Sequence, residues 1–221
     1  MVLTKEKEEV SEMLLKIKAI SANIENPFVF VSGIHSPVYV DCRRIISFPR
    51  ERKRIIELFE KIARKDIGLE NFDIVAGGAT AGIPYAAFLA SKINKPMIYV
   101  RKKPKDYGKK RQTEGILEKN QKVLLVEDLV TDGGSKINFF NGIKNDGGIP
   151  SYCLVVFSYG QPVILEKMKE WNVKLFWLTD WDTTLEIARR KGYFSGDEYK
   201  EVKEFLKDPV AWDKKWTGEK E

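Results

Sequence analysis

The sequence predicts an α/β fold, in which a doubly wound, mainly parallel sheet of five strands carries helices on both faces. From residue 73 onward, short apolar runs alternate with longer helical segments, and uninterrupted apolar runs are typical of strands that are covered on both faces. The segments between the runs are long enough for the helical crossovers that parallel strands need. The predicted strands are residues 74–76, 97–100, 123–126, 152–157 and 173–178.

The N-terminal part predicts a small hood ahead of this sheet. Apolar residues recur three and four positions apart between residues 5 and 20, which predicts an amphipathic helix. Two β-type runs, residues 28–31 and 38–41, flank a turn-like segment, so we expect them to pair as a hairpin. A simple edge ribbon remains the alternative interpretation. Pro49 then begins a long helix that runs to about residue 66.

Helices are also predicted after the strands and in the tail of the chain. Residues 82–92 and 135–145 follow the first and third strands, and two short helices are expected near residues 182–191 and 195–207. We therefore expect one domain across residues 1–221. Its core covers about residues 46–180, and its hood combines about residues 1–45 with C-terminal elements.

Composition excludes several classes of protein. With 43% apolar and 32% charged residues, the 221-residue chain has no run near the roughly 18 apolar residues of a membrane helix. The N-terminus lacks the apolar stretch of a secretory signal, so we expect a cytoplasmic protein without a membrane partner. Cys42, Cys153 and His35 stand far apart, so neither a zinc site nor a disulfide framework is indicated.

The positive charge is concentrated in one segment. Residues 101–111 contain seven basic residues and one acid, which equals the net charge of +6 of the whole chain. A nucleic-acid-binding protein usually spreads its basic residues over a face or a helix, so we expect no nucleic-acid partner. The segment also contains Pro104 and Gly108 and is long for a connection after a strand, as in the lids that close over active sites. A solvated run of charge is the alternative.

The most informative stretch is residues 122–135. It reads as a buried strand that ends on Glu127 and Asp128, followed by a turn of Thr, Asp and two glycines and by a helix that begins at Ser135. A glycine turn at a helix N-terminus suits a phosphate, whereas adjacent carboxylates suit sugar hydroxyls or a cation. An ordinary strand-to-helix connection is the alternative. Neither a G-x-x-x-x-G-K-[ST] nor a G-x-G-x-x-G motif occurs in the sequence.

Three features therefore follow the ends of predicted parallel strands, at one edge of the sheet. They are the small-residue loop 77–82, the basic segment 101–111 and the acidic and glycine stretch. The small-residue loop offers backbone donors to an anion, although close packing of a helix on the sheet also explains its glycines. Together the three features suit a molecule with a phosphate, a sugar and a pyrophosphate, and phosphoribosyl pyrophosphate is that molecule.

Four motifs in order resemble a known family. Residues 123–135 resemble the phosphoribosyl pyrophosphate motif of type I phosphoribosyltransferases, and residues 79–84 resemble their pyrophosphate loop. Residues 101–108, with Glu114 and Gly115, are similar to the mobile loop of orotate phosphoribosyltransferases, and residues 30–41 to their base-binding segment. The resemblance covers about residues 10–213 and implies the type I phosphoribosyltransferase fold. It implies transfer from phosphoribosyl pyrophosphate to orotate, giving orotidine 5′-monophosphate in pyrimidine biosynthesis.

The resemblance also implies roles for individual residues. Lys105 would be the principal catalytic cation, and Glu127 and Asp128 would bind the ribose hydroxyls and stabilise positive charge on the sugar. Thr131 would meet both the phosphate and orotate. The residues expected to bind phosphoribosyl pyrophosphate are Thr80, Ala81, Arg101, Lys102, Lys105, Tyr107, Glu127, Asp128, Leu129, Val130, Thr131, Asp132, Gly133, Gly134 and Ser135.

The resemblance further implies a magnesium cofactor and a homodimer. Mg²⁺ would be held mainly by the substrate and by no protein residue directly, which suits a sequence without a ligand cluster. The loop 101–115 would reach the site of the neighbouring subunit.

The sequence departs from the family where the base binds. Many members have Lys at the position of Val31 and an Asp-Arg pair near Ser158 and Tyr159, and Tyr107 is often His. The carboxylate of orotate would then depend on backbone donors of Ser32 and Gly33, or on the side chains of Arg43 or Arg44.

Two other functions remain open. A phosphoribosyltransferase for another base is the first, although the base-binding segment disfavours it. A non-catalytic regulator that senses phosphoribosyl pyrophosphate and binds nucleic acid is the second, but it would need an added DNA-binding domain or a basic face.

Overall fold

A mainly parallel sheet forms the centre of the molecule. The computed structural model describes residues 4–30, 32–104, 111–131 and 133–218. Within these residues the sheet has six strands in the order β10-β9-β8-β5-β6-β7, and only the β6–β7 pairing is antiparallel. The five predicted parallel strands are confirmed. The strands are β5 (Ile74–Gly78), β6 (Met97–Val100), β7 (Thr113–Glu114), β8 (Lys122–Val130), β9 (Ile149–Ser158) and β10 (Lys174–Asp180).

The strands of the sheet differ from the prediction in two ways. The two-residue strand β7 was not predicted, because it contains no apolar run and is defined only by its pairing with β6. Strand β8 extends beyond its apolar run to Val130, and the pairs Glu127 with Val155 and Val130 with Ser158 place the acidic residues inside the strand. The two carboxylates are thus held by a paired backbone rather than by the turn that follows.

Helices cover both faces of the sheet. In β8, Leu124 and Val126 face the core that contains α2 (Pro49–Ile62) and α3 (Gly82–Ile93), whereas Val123 and Leu125 face the core that contains α4 (Gly134–Asn145) and α5 (Pro162–Glu170). This alternation explains why the strand is apolar throughout. Helix α5 was not among the predicted helices.

The hood contains a helix and a β-hairpin, as predicted, but the strand partners differ from the predicted pairing of residues 28–31 with residues 38–41. Helix α1 (Thr4–Lys16) ends four residues earlier than expected, and Lys18 follows with a φ of +55°. The next residues form β1 (Ile20–Ala22), which pairs with β4 (Val38–Val40), while β2 (Phe28–Val29) pairs with β3 (His35–Ser36). Ile20 lies opposite Val40 and both are buried, so this pairing contributes apolar surface to the core.

Two helical segments complete the first half of the chain. A 3₁₀ helix over Cys42–Ser47 was not predicted; it begins where the Asp41 side chain accepts a hydrogen bond from the backbone N–H of Arg43. A wider turn over Ala63–Ile67 continues α2, so the predicted long helix to about residue 66 is confirmed.

Three helices close the chain. Helices α6 (Trp181–Arg190) and α7 (Gly196–Lys207) confirm the two predicted tail helices, and α8 (Pro209–Thr217) was not predicted. Ser195 and Glu198 cap the start of α7 reciprocally. Among the described residues, we find no helix with the length and apolar character needed to span a bilayer.

Candidate active site

A cavity of about 380 Å³ opens at the carboxyl ends of the parallel strands. Its walls come from the hood, from the loop after β5, from the root of the basic segment, from the end of β8 and from the start of α4. The small-residue loop, the root of the basic segment at Lys102 and the acidic stretch therefore meet in space. Ligands of open α/β sheets bind at this edge.

Glu127 forms the buried floor of the cavity. It is 5% exposed, and its Oε2 accepts a hydrogen bond of 2.5 Å from Lys136 Nζ. Its Oε1 is also buried and has no partner with hydrogen-bond geometry among the described residues. Burial raises the pKa of Glu127 to about 7, although Lys136 and, less strongly, the N–H of Gly82 oppose the rise. The carboxylate is therefore poised to ionise near neutral pH.

Asp128 lies beside Glu127 on the wall of the same cavity. Burial raises its pKa, against the opposing effects of Lys136, the backbone N–H groups and Arg43. One carboxylate oxygen, Oδ1, accepts a hydrogen bond of 2.8 Å from the N–H of Leu129. Two partly desolvated acids thus share one wall, which suits hydroxyl donors or a developing positive charge.

Lys136 is a site residue that sequence reasoning missed. It is 3% exposed and lies on the inward stripe of α4 with Phe139, Phe140 and Ile143, at helical spacing. A lysine in an apolar stripe three and four residues ahead of two phenylalanines was the available signal, because lysine is rarely buried without an anionic partner.

The small-residue loop serves both packing and the cavity. A Cβ on Gly82 would lie 2.3 Å from the carbonyl oxygen of Val126, and one on Gly78 would lie 2.5 Å from Glu127 Oε1. Gly82 therefore lets α3 approach β8 closely, as the packing alternative predicted, and Gly78 leaves room for the Glu127 side chain. Thr80 and Ala81, with Ala79, line the cavity as the ligand hypothesis requires.

The start of α4 forms the opposite wall. Gly133 has a φ of +83°, and a Cβ there would lie 2.3 Å from Ile164 Cδ1, so only glycine fits. Leu129, Thr131 and Ser135 line the cavity, whereas Val130 is buried beneath it. Gly134 begins the helix, and Asp132 lies outside the described residues. The helix N-terminus adds partial positive charge at this wall.

The root of the basic segment is fastened to the sheet. The backbone N–H of Arg101 donates to the Gln112 carbonyl at 2.9 Å, and Gln112 Nε2 donates to the Arg101 carbonyl at 2.7 Å. Asp146 accepts hydrogen bonds from Gln112 and Thr113. Lys102 lines the cavity. Lys105 and Tyr107, to which the sequence assigns contacts with pyrophosphate, lie outside the described residues.

The hood contributes Tyr39, Val40 and Arg43 to the cavity. Outward positions on β4 and the 3₁₀ helix after it bring Tyr39 and Arg43 to the same side. Ser32 and Gly33 are described, but they lie outside the walls of this cavity, and the N–H of Gly33 donates to the Phe30 carbonyl at 2.8 Å.

Comparison with known proteins defines the class first. A family model described as "Phosphoribosyl transferase domain" matches residues 44–183, which include the parallel strands and most walls of the cavity. The hood residues Tyr39, Val40 and Arg43 precede that match. The fold is thus that of a phosphoribosyltransferase domain.

Relatives over nearly the full chain narrow the class. The chain is 45% identical over 203 residues to an orotate phosphoribosyltransferase of Jannaschia sp., with 91% of this chain and 89% of the relative covered. It is 43% identical over 215 residues to that of Agrobacterium fabrum, with 96% and 91% covered. The crystal structure of orotate phosphoribosyltransferase from Aeropyrum pernix is 28% identical, with a TM-score of 0.68 over 84% of this chain and 99% of that chain. The chain belongs to the orotate phosphoribosyltransferase family.

These findings confirm the predicted family, the α/β type I phosphoribosyltransferase fold and the class of enzyme, a pentosyltransferase. The roles assigned to individual residues stay predictions.

Proposed function

We propose that this chain transfers ribose 5-phosphate from phosphoribosyl pyrophosphate to orotate, giving orotidine 5′-monophosphate and pyrophosphate in pyrimidine biosynthesis. The observation that carries the proposal is the single cavity in which Glu127 and Asp128 stand between the start of α4 and the loop after β5. A sugar between two phosphate groups suits that order of walls. The names of the relatives support orotate as the base.

The terminal phosphate is assigned to the start of α4. Thr131 and Ser135 line this wall, and the N-terminal backbone of the helix favours an anion. We also assign to the binding of this phosphate the residues Leu129, Val130, Asp132, Gly133 and Gly134. Thr131 is also the candidate for a contact with orotate, since it lies on the cavity wall. Ser32 and Gly33 lie outside the walls, so a contact with orotate would require the β2–β3 ribbon to move inward.

The pyrophosphate is assigned to the side of the cavity where Thr80, Ala81 and Lys102 lie. Arg101 lies at the same root, with its Nη1 3.4 Å from Glu114 Oε1. Lys105 and Tyr107 complete this group in our proposal, and Lys105 is the principal cation. The positive charges of Arg101, Lys102 and Lys105 would stabilise the leaving group as it accepts the bonding electrons.

The acid pair is assigned to the sugar. When the bond between the sugar carbon and pyrophosphate breaks, positive charge develops on the sugar, and a nitrogen of the base forms the new bond. Ionised Glu127 and Asp128 would bind the ribose hydroxyls. They would stabilise the transition state, in which the sugar is positively charged, more strongly than the ground state. Lys136 favours the ionised form of Glu127 and fixes its Oε2.

The residues present fit a substrate-held magnesium ion. Glu127 and Asp128 are the acidic residues on the cavity walls, and the described residues contain no cluster of three or more Asp, Glu, His or Cys that could hold a metal. Such a site suits Mg²⁺ that takes most of its ligands from phosphate oxygens and water. When bound, Mg²⁺ neutralises charge on the pyrophosphate.

We also propose a cytoplasmic homodimer whose loop 101–115 reaches the neighbouring subunit's site, with residues 1–221 as one domain. The resemblance of residues 101–108 to the mobile loop of orotate phosphoribosyltransferases supports this proposal. Sedimentation velocity tests the dimer, and mixing a Glu127→Gln variant with a Lys105→Ala variant tests shared sites by recovery of activity.

The reaction is tested by the loss of orotate absorbance after the protein is mixed with phosphoribosyl pyrophosphate and Mg²⁺. Turnover with orotate is the expected result. Turnover with another base but not with orotate would replace the acceptor and keep the transferase. Binding of phosphoribosyl pyrophosphate without turnover of any base would favour a regulator.

A further inference from the structure

Orotate carries a carboxylate, and an anion that leaves water for a cavity needs a cation or several hydrogen-bond donors. In the part of the chain that the structure describes, three cationic side chains line the cavity: Arg43, Lys102 and Lys136. They come from three different walls. The carboxylate therefore has a short set of candidate partners.

Two of these cations are already assigned to other parts of the site. Lys136 Nζ is paired with Glu127 Oε2 at 2.5 Å, and both side chains are nearly inaccessible to solvent. Lys102 belongs to the root of the basic segment, and its carbonyl is held by Asn138 Nδ2 at 2.6 Å. We assign Lys102 to the pyrophosphate together with the rest of this segment. Arg43 is the cation that stands on the hood, beyond the acid pair.

Two hydrogen bonds orient the guanidinium of Arg43 and leave some of its N–H donors available. Its Nε donates to Asp41 Oδ1 at 2.6 Å and its Nη2 donates to the Tyr39 hydroxyl at 3.3 Å. No described residue accepts a hydrogen bond from Nη1, and the side chain is 57% exposed. The Asp41 hydrogen bond raises the pKa of Arg43, so the cation persists at every relevant pH. A planar guanidinium held in this way can offer its Nη edge to a carboxylate.

The other hood candidates, Ser32, Gly33 and Arg44, do not line the cavity. Arg44 Nε donates to the carbonyl of Ile17 at 3.1 Å, and Arg44 is not on the cavity wall. The N–H of Gly33 donates to the Phe30 carbonyl. The positive charge of Arg43 also acts on Asp128, where it opposes the rise that burial causes in the pKa of this acid. The base must lie next to the sugar, and therefore next to this acid.

We propose that Arg43 binds the carboxylate of orotate through its Nη groups and so determines which base the site accepts. Asp41 and Tyr39 are positioning residues that hold the guanidinium toward the cavity. This inference rests on the proposed function and adds the residue that selects its acceptor.

The test compares Arg43→Gln and Arg43→Lys with the wild-type chain. Loss of a charge-assisted hydrogen bond predicts a rise of about 10- to 100-fold in KM for orotate in Arg43→Gln, with KM for phosphoribosyl pyrophosphate within about twofold of wild type. Arg43→Lys retains the charge and recovers part of the affinity. Arg44→Gln, the adjacent guanidinium off the cavity wall, retains the wild-type KM for orotate.

Uracil supplies a readout that a structural defect would not imitate, because it is orotate without the carboxylate. The inhibition constant of uracil stays near its wild-type value in Arg43→Gln, so the preference for orotate over uracil falls with the orotate affinity. An unchanged KM for orotate and an unchanged preference in Arg43→Gln would overturn the assignment of Arg43. An equal rise in the KM for orotate and in the inhibition constant of uracil would also overturn it. Absence of orotate turnover by the wild-type chain would overturn the proposed function itself.

Discussion

The contact between Lys136 and Glu127 places two opposite charges in the floor of the cavity. The side chains are 4% and 6% exposed, and their atoms approach to 2.5 Å. Burial penalises both charges, and removal of one partner from such a pair typically costs about 3–5 kcal/mol. The pKa of Glu127, about 7, indicates that burial outweighs the attraction of the ammonium. Glu127 is thus only partly ionised at neutral pH before the substrate binds, although the proposed chemistry needs its negative charge.

Replacement of Lys136 by Met should move the pH dependence of catalysis. Without the ammonium, burial and Asp128 both raise the pKa of Glu127, so the acid limb of kcat/KM for phosphoribosyl pyrophosphate shifts to higher pH. A rise of about one unit lowers the ionised fraction of Glu127 at pH 7 from about a half to about a tenth, so activity there falls about fivefold. The shift is measured from steady-state rates at about pH 5.5 to 9, the range in which catalytic acids and bases commonly titrate.

The control for this variant is Lys144→Met, on the same helix. Lys144 is exposed and lies over the ring of Trp171, 5.9 Å from its centre, away from the cavity. Its pH profile should match that of the wild type. An acid limb that stays in place in Lys136→Met would show that Lys136 does not control the ionisation of Glu127.

Gly82 is a second residue on which the site depends. A Cβ there would lie 2.3 Å from the Val126 carbonyl oxygen and 2.4 Å from Glu127 Oε1. Gly82→Ala should therefore displace α3 or Glu127, at a cost of about 1–3 kcal/mol and a fall in Tm of about 2–10 °C, with loss of activity. Gly196→Ala is the matched control, because Gly196 also begins a helix and has no atom within 4 Å of its added Cβ. Equal Tm values for the two variants would contradict the packing argument.

At the scale of elements, the sequence specifies the sheet better than the hood. Each parallel strand contains an uninterrupted apolar run, because both faces of the sheet are covered. The hood strands have only two or three residues, and their partners are chosen by tertiary burial, as with Ile20 opposite Val40. No local pattern separates that pairing from the predicted hairpin.

The sequence likewise specifies some residues of the candidate site better than others. The rule that parallel strands end at one edge gathers Thr80, Lys102, Glu127, Asp128 and Thr131 around one cavity, as predicted. Lys136 was missed because its position on the inward stripe matters only once α4 is placed beneath the acids. The choice of Arg43 over Arg44 depends on the rotation of the 3₁₀ helix over Cys42–Ser47, which adjacent arginines in a sequence cannot reveal.

Helix α8 holds the ribbon formed by β2 and β3. Asp213 Oδ1 accepts hydrogen bonds from the backbone N–H of His35 at 3.1 Å and is 2.7 Å from its Nδ1. The ring of His35 also lies 4.8 Å from that of Trp216. The end of the chain thereby fixes the segment next to the proposed base site.

Asp213→Ala should loosen that ribbon. The variant removes acceptors for two His35 groups, so we expect a loss of about 1–2 kcal/mol in stability and faster hydrogen exchange at Phe30 and Gly33, whose amides close the ribbon's turn. Exchange mass spectrometry or NMR measures the change. Lys214→Ala, the exposed neighbour on the same helix, should leave exchange unchanged. Unaltered exchange in Asp213→Ala would mean that the other ribbon contacts suffice.

At the scale of the whole molecule, α1 joins the beginning of the chain to its end. Its acidic residues pair with Arg54 and Lys61 of α2 and with Arg190 of α6 and Lys191 directly after it. Exposed pairs of this kind contribute little individually. The most buried of these ion pairs joins Lys7 to Asp180, at the end of β10. Asp180 also accepts hydrogen bonds from Trp177 Nε1 and from the backbone and hydroxyl of Thr183.

The Asp180 cluster should make stability depend on pH in the acid range. Burial raises the pKa of Asp180, but the hydrogen bonds from Lys7, Trp177 and Thr183 together outweigh it, so the pKa lies below the ordinary value of 3.8. The unfolded chain then binds a proton more readily than the folded one. The stabilisation is complete above pH 3.8 and is lost as the pH falls through the folded pKa.

Asp180→Asn measures this contribution. The substitution removes the charge but keeps the shape, so the variant should be less stable than the wild type by about 1–3 kcal/mol at pH 7 in urea unfolding. The difference should shrink as the pH falls below about 4, because the wild-type carboxyl is then protonated as well. Glu8→Gln removes a pair with exposed Arg190 and should change stability by less than about 0.5 kcal/mol at either pH. A deficit in Asp180→Asn that does not vary with pH would assign the effect to packing, and α1 would then be held by its apolar face rather than by this charge.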